Sequence, residues 1–481
     1  MTNKNGTGIS QRKITVNEEK KLTANASDLT TNTNYGIVNA GTVMFNGGTN
    51  ANIISGDTGR LEIAGDVTNA ANVTQKEVVV SGKLINNAEK EIGATTVTNS
   101  GEIANSGTIN ATTELSNSGT MTNAGSVTAA TLTNNTNATI TNNAGKTISA
   151  TTLTNNANAM IENEGTINTV NAIENTGTIK TNAEGIVISG SDKKINNEGI
   201  VEFTGGTNTN EISGTNGKLE ITGEVENDAN VTQKEVEVSG KLTNDANREI
   251  KATDITNSGT IENEGTIESG NAIANSGTIT SNADKMKAAI ANSGTYNVTG
   301  GTVSYKVSGT NGIMNINTDE VTISTSVSGN KVSLTKTLKL KKEEYIGEGS
   351  TLEIGTGATL DISENGQIGA VNGVSITAAT WNLKLDVELG ETTTADTLNI
   401  ASIVAGSNAL IEDINVTGST SKAEDTVQIT NMNINATTTD PDKIYTGTNG
   451  INYKIVTRNE NSGTWLDIVA YGYGGLAKCS I

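Results

Sequence analysis

Aliphatic residues recur in this chain at intervals of six. Val97, Ile103, Ile109, Leu115, Met121 and Val127 form one such series, Ile161, Ile167, Ile173 and Ile179 a second, and Ile255, Ile261, Ile267, Ile273 and Ile279 a third. An amphipathic helix needs apolar residues three and four apart, so a period of six fits neither a helix nor a heptad. The intervening residues are Asn, Ser, Gly and Thr, which favour strands and turns over helix. A unit such as Ile161-Glu-Asn-Glu-Gly-Thr-Ile167 reads as a short strand followed by an Asn-x-Gly turn. Asn and Gly tolerate left-handed backbone, so these turns are expected to bend through that conformation. Elsewhere the alternation has period two. In KEVEVSGKL, Val236 and Val238 are expected to face inward and Glu235 and Glu237 outward.

One hexad cannot fold alone. Burying an Ile contributes about 1.5–3 kcal/mol, whereas ordering six backbones costs roughly 6–12 kcal/mol. Stacking coil upon coil supplies the difference, with strands hydrogen-bonded above and below and like residues forming Ile columns and Asn ladders. The predicted fold is therefore all-β: a parallel β-helix, or β-solenoid, in a single elongated rod. Coils of about 18–24 residues would give roughly 20–26 coils and a length on the order of 100–125 Å.

Composition agrees with an array better than with a compact core. The 481 residues include 2% aromatics and one proline, and roughly one residue in seven is Asn. Low hydrophobicity with a net charge of -20 also suits a disordered chain, but regular apolar spacing does not. With 32 basic against 52 acidic residues there is no basic stripe for phosphates, so nucleic acid is not an expected partner.

A long duplication overlies the hexads. The segment from Phe45 to Leu84 recurs from Phe203 to Leu242, keeping aliphatic pairs such as Leu61/Leu219 and Ile63/Ile221 and exchanging Arg60/Lys218 and Asp66/Glu224 with charge preserved. A weaker third copy runs from Val298 to Ile316. Three regions are expected: 1–44 as cap and first coils; 45–316 as repeat solenoid, with the duplicated block at 45–109 and 203–267; and 317–481 as a C-terminal solenoid section. Residues up to Tyr35 are polar, with Lys4, Arg12, Lys13, Lys20 and Lys21 clustered. Nine of the twelve aromatics lie from Tyr296 onward, Trp381 and Trp465 among them, which suggests either a better-packed section or an aromatic groove. Pro441 marks a loop.

The hexads ITNSGTI, IANSGTI and LSNSGTM resemble the repeats of autotransporter and related adhesin passengers. The segments WNLKLDVELGETTTADTLNI and INYKIVTRNENSGTWLDI resemble the passenger region before a translocator barrel. The resemblance implies a right-handed parallel β-helix at the bacterial cell surface or secreted, acting as adhesin or stalk in attachment and virulence. Its partner would be a host-cell, matrix or glycan surface. The N-terminus lacks the apolar stretch of a signal peptide, and the chain stops at AYGYGGLAKCSI without barrel strands, so it reads as a passenger without its export parts.

Chemistry-bearing residues are sparse. The absence of histidine removes triads, imidazole metal sites and imidazole acid–base catalysis. Cys479 is the one cysteine, so it can form neither an internal disulfide nor a thiolate cluster. The carboxylate pairs Glu343-Glu344, Asp319-Glu320 and Glu412-Asp413 are expected to point to opposite faces of strands. GGTN at Gly47 and Gly205 lacks the Asp of a calcium loop, and GTNG at Gly214 and Gly309 lacks the Lys of a phosphate loop. The many Asn-x-Ser/Thr triplets do not by themselves establish glycosylation. We therefore expect no catalytic residues, metal or cofactor, and the binding residues stay unassigned. Two alternatives are a polysaccharide-cleaving β-helix enzyme and an ice-binding solenoid, the latter motivated by Thr108, Thr166, Thr178, Thr260, Thr266 and Thr278 before the hexad Ile.

Overall fold

The computed structural model describes residues 9–31, 36–341, 346, 347, 349–363 and 369–471. Lys4, Tyr35, Glu343, Glu344 and Cys479 lie outside these described residues. The protein is all-β, 62% strand and 2% helix, with mostly parallel strands stacked into a β-solenoid of about 19 turns. It divides into two compact units, Met1–Thr253 and Asp254–Ile481.

In the first unit each turn has three sides, and successive hexads occupy successive sides. Residues six apart are therefore not stacking partners; every third hexad is. Ile103 lies over Met121, then Ile140, Ile161 and Ile179. Ile109 lies over Val127, Ile148 and Ile167, and Val97 over Leu115, Leu132, Leu153 and Ile173. All of these side chains are buried. Val236 and Val238 also face inward, with Glu235 and Glu237 outward.

Each short strand carries a second inward residue two places after its aliphatic one, and it is usually Asn. The strand Thr166–Thr169 shows the alternation, and Glu102–Asn105 and Thr139–Asn142 end on the Asn itself. These buried carboxamides form ladders. In one, Nδ2 of Asn50 donates to Oδ1 of Asn69, and the pattern continues through Asn86, Asn105, Asn123 and Asn142 to Asn163, at 2.7–3.0 Å. In another, Asn99 leads through Asn117, Asn134, Asn155 and Asn175 to Asn197. Partners within these ladders are separated by 17 to 22 residues, which is the length of a turn. Each Nδ2 also donates to backbone carbonyls at the corners, as Asn155 does to Thr178, so the Asn replaces hydrogen bonds that a tight corner leaves unmade.

The Asn-x-Gly corners that join successive hexads, such as Asn117-Ser118-Gly119 and Asn123-Ala124-Gly125, do not use left-handed backbone. Their glycines are needed because coils approach closely: a Cβ on Gly119 would lie 2.0 Å from the Gly101 carbonyl oxygen, and one on Gly125 2.0 Å from that of Gly107. Left-handed residues sit instead in the longer corners, at Glu89, Asn137, Gly145, Asn158 and Asn247.

The duplicated blocks begin with a recurrent fitting. Gly47-Gly48, Gly205-Gly206 and Gly300-Gly301 share positive φ values. In each, the first glycine carbonyl accepts the N–H of Ala26, Ala183 or Ala283 at 2.7–2.8 Å. Those alanines open the 3-10 turns Ala26–Asp28, Ala183–Gly185 and Ala283–Lys285. After the first two fittings comes the buried Asn50 or Asn208, which starts a ladder. After the third comes Val303, and an aliphatic column through Ile323 and Leu340 takes the ladder's place. That exchange is where the hexads fade.

In the second unit, turns lengthen toward the C-terminus. Side chains of adjacent turns pair across 23 residues at Asn382–Thr359 and 27 at Asn399–Asn372. The total is accordingly about 19 turns and not the 20–26 expected. The wider interior holds Trp381, fully buried, while Tyr453 is buried with its hydroxyl donating to the Thr420 carbonyl. Coiling ends in antiparallel strands: Glu424–Thr430 pairs with Gly463–Tyr471, which pairs with Asn452–Glu460. Pro441 lies in a turn before this hairpin.

Candidate interaction surface

Outward side chains also stack in columns, because every strand repeats its neighbour's register. On the first unit, Glu202, Glu220 and Glu237 occupy one column and Lys218 and Glu235 the adjacent one. Lys218 reaches Glu220, Glu235 and Glu237 at 2.5–3.2 Å. Partial burial alone would lower its pKa, but hydrogen bonds to these three carboxylates hold the ammonium above the ordinary lysine range. The equivalent Arg60 pairs with Glu62 and Glu77, so the charge-preserving Arg60/Lys218 exchange occupies the same outer position in both copies.

Glu62 accepts a hydrogen bond from Lys21 that, against some burial and with help from Arg60, holds its carboxyl below the usual range. A carboxyl depressed in the folded state stabilises above its unfolded pKa, near 4.3, and loses that contribution as pH falls through the folded value. Lys21→Met is therefore expected to lower the stability measured by urea unfolding at pH 7, by less than about 1 kcal/mol for so exposed a pair, and to cost less at a pH where Glu62 is protonated.

The carboxylate pairs are engaged separately. Asp319 and Glu320 sit in a turn, with Glu320 left-handed at φ 67°, so the expectation that they occupy a strand is corrected. Glu412 and Asp413 are on a strand, but a register break leaves both facing outward between buried Ile411 and Ile414, so the expectation of opposite faces is corrected; they pair with Lys384 and Lys443. Sequence reasoning missed two buried carboxylates, Asp386 and Asp396. Asp396 accepts the N–H groups of Gly369 and Asp386, and Asp386 accepts from Asn415, so they clip backbone segments together behind a closed surface. The alternation in LKLDVEL puts Asp386 at an outward place beside Lys384 and Glu388, so the pattern gave no signal of its burial.

The threonines before the hexad Ile are half-buried and outward. Thr108 stacks with Ser126, Thr147 and Thr166, whereas Thr178 lies between Met160 and Ile200. Among the aromatics, Trp465 is partly exposed with the Arg458 guanidinium 5.4 Å from its ring centroid, and Tyr305 is exposed. No group of three or more acidic, His or Cys side chains among the described residues is placed to hold a metal ion.

A groove of about 540 Å³ opens on the first unit between the turn at Val170–Ala172 and the loop at Gly190–Asp192. Val170 lies in it, 46% exposed. Asn171 Nδ2 donates to Thr152 Oγ1 at 3.0 Å, and Asn196 Nδ2 donates to Glu174. The volume is within the roughly 300–1,000 Å³ of small-ligand sites.

No protein-family model matches the chain. No curated protein matches it either.

Proposed function

We propose that this chain is the exposed, non-catalytic portion of a bacterial surface protein of the autotransporter-passenger type, serving as adhesin or stalk in attachment. The observation that supports this is the division of labour within each turn. Inward residues are consumed by columns and ladders, while outward residues present the same kinds of group again and again at the strand spacing of about 4.8 Å. Such a surface suits multivalent attachment, in which individually weak contacts add. The hexads and the segments WNLKLDVELGETTTADTLNI and INYKIVTRNENSGTWLDI supply the family resemblance.

Purified protein coupled to beads tests the reading. Beads are expected to be retained on host cells, matrix or glycan-coated surfaces, in a manner competed by free protein; retention no greater than that of albumin-coated beads on all three would overturn it. Release of reducing or unsaturated ends from uronans, or thermal hysteresis, would favour the enzymatic or ice-binding alternative instead.

A further inference from the structure

The molecule contains its own control for the groove. Residues 161–195 align with 261–290, both beginning Ile-Glu-Asn-Glu-Gly-Thr-Ile, and the registers agree: Ile167 pairs with Ile186 as Ile267 does with Met286, and Ile173 with Ile195 as Ile273 does with Ile290. Asn271 repeats the bond of Asn171, donating to Asp254 at 2.8 Å where Asn171 donates to Thr152. The scaffold is thus the same, but the groove's furnishings are not. Val170, Glu174 and Asn196 have Gly270, Ala274 and Ala291 as counterparts, and the seven residues 188–194 stand where Ala288 and Ala289 suffice. The fold requires neither the loop nor these side chains, so packing does not account for them.

Their chemistry specifies an occupant. The charged side chains lining the groove are Glu174 and Asp192, with no lysine or arginine. Asn171 and Asn196 each commit one N–H to Thr152 or Glu174, a bond that fixes the amide and its carbonyl oxygen in place. The site is rich in acceptors, negative, and floored in part by the exposed apolar face of Val170. A ligand that fits it carries many donors, positive charge and a flat C–H face.

We propose that this groove binds a glycan with free amino groups, the ammonium groups meeting Glu174 and Asp192, hydroxyls donating to the Asn171 and Asn196 carbonyls, and a ring face lying on Val170. This rests on the attachment reading above and names a ligand class for it. Calorimetry on the full chain with a β-1,4-linked glucosamine hexamer, its fully N-acetylated counterpart and hexalysine tests it, at a pH that keeps amines protonated. The glucosamine hexamer is expected to bind at least tenfold more tightly than either of the others. The combined variant Val170→Gly, Glu174→Ala, Asn196→Ala is expected to lose at least tenfold in affinity while keeping the parent's circular dichroism, because the second copy already carries these residues in the same register.

Equal binding of the acetylated hexamer, hexalysine binding as tightly as the sugar, or a variant that binds like the parent would each overturn the proposal. Beads retained on cells by a chain that ignores the glucosamine hexamer would sink the groove and leave attachment standing. Tight hexamer binding without retention on any surface would do the reverse.

Discussion

Asn155→Asp is expected to cost upwards of about 3–5 kcal/mol at pH 7, the penalty for a buried charge without a partner. Asn155 is completely buried. Its Nδ2 donates to Asn175 Oδ1 at 2.8 Å and to the Thr178 carbonyl at 3.0 Å, and its Oδ1 accepts from Asn134 at 2.9 Å. A carboxylate keeps the last bond and turns the others into oxygen facing oxygen. Burial and these neighbours would raise the carboxyl pKa in the folded state. With the folded pKa above the unfolded value, the variant is least damaged at low pH and loses stability as pH rises above the unfolded carboxyl value of about 3.9. The neighbouring outward Thr154→Ala should shift stability by no more than about 0.5 kcal/mol. Urea unfolding followed by circular dichroism at pH 4 and pH 7 separates these outcomes. An aspartate variant as stable as the parent at pH 7 would show that the ladder contributes little.

The second large effect concerns two glycines that look alike in sequence. Gly119→Ala places a methyl 2.0 Å from the Gly101 carbonyl oxygen, which accepts the Thr120 N–H at 2.9 Å. Backbone must move and that bond must open, so a loss above about 3 kcal/mol is expected, beyond the usual cost of overpacking. Gly145→Ala meets no atom within 4 Å and has only its left-handed φ of 69° to oppose it, which costs about 1–2 kcal/mol. If thermal unfolding ranks the two variants the other way, close coil approach is not what the corner glycines serve.

These cases also show how far the residues could be read in advance. The period of six identified strand and corner, and with the duplicated block it pointed to stacked coils, because burial alternates regularly and each coil sees only its neighbours. What it did not disclose was that three hexads make a turn, since a single period carries no information on how many sides close a coil. Nor did it disclose why Gly119 must be glycine: the reason lies in a carbonyl eighteen residues earlier and not in the local backbone. Asn ladders were foreseeable from composition, but their inward position, two places after each Ile, becomes clear only with the register in hand. The groove was invisible for a similar reason. Val170, Glu174 and Asn196 are unremarkable in a chain full of such residues, and alignment of 161–195 with 261–290 was the signal that could have singled them out.

The carboxamide ladders have a direction. Every Nδ2 within the two ladders gives a hydrogen to the coil that follows, so the last coil must offer an acceptor. In the first ladder this is Thr181 Oγ1, whose own hydrogen goes to the Asn182 carbonyl. In the second unit Ser281 does the same for Asn263 and passes its hydrogen to Asn282. The first ladder is thus complete between its Gly-Gly-Thr-Asn opening and its Thr-Asn-Ala close, while the second runs past that close through Asn197 to an acceptor on Gln233. Whole coils can be gained or lost within such a ladder without stranding a buried donor, which makes the number of coils a quantity that recombination can adjust while their chemistry stays fixed.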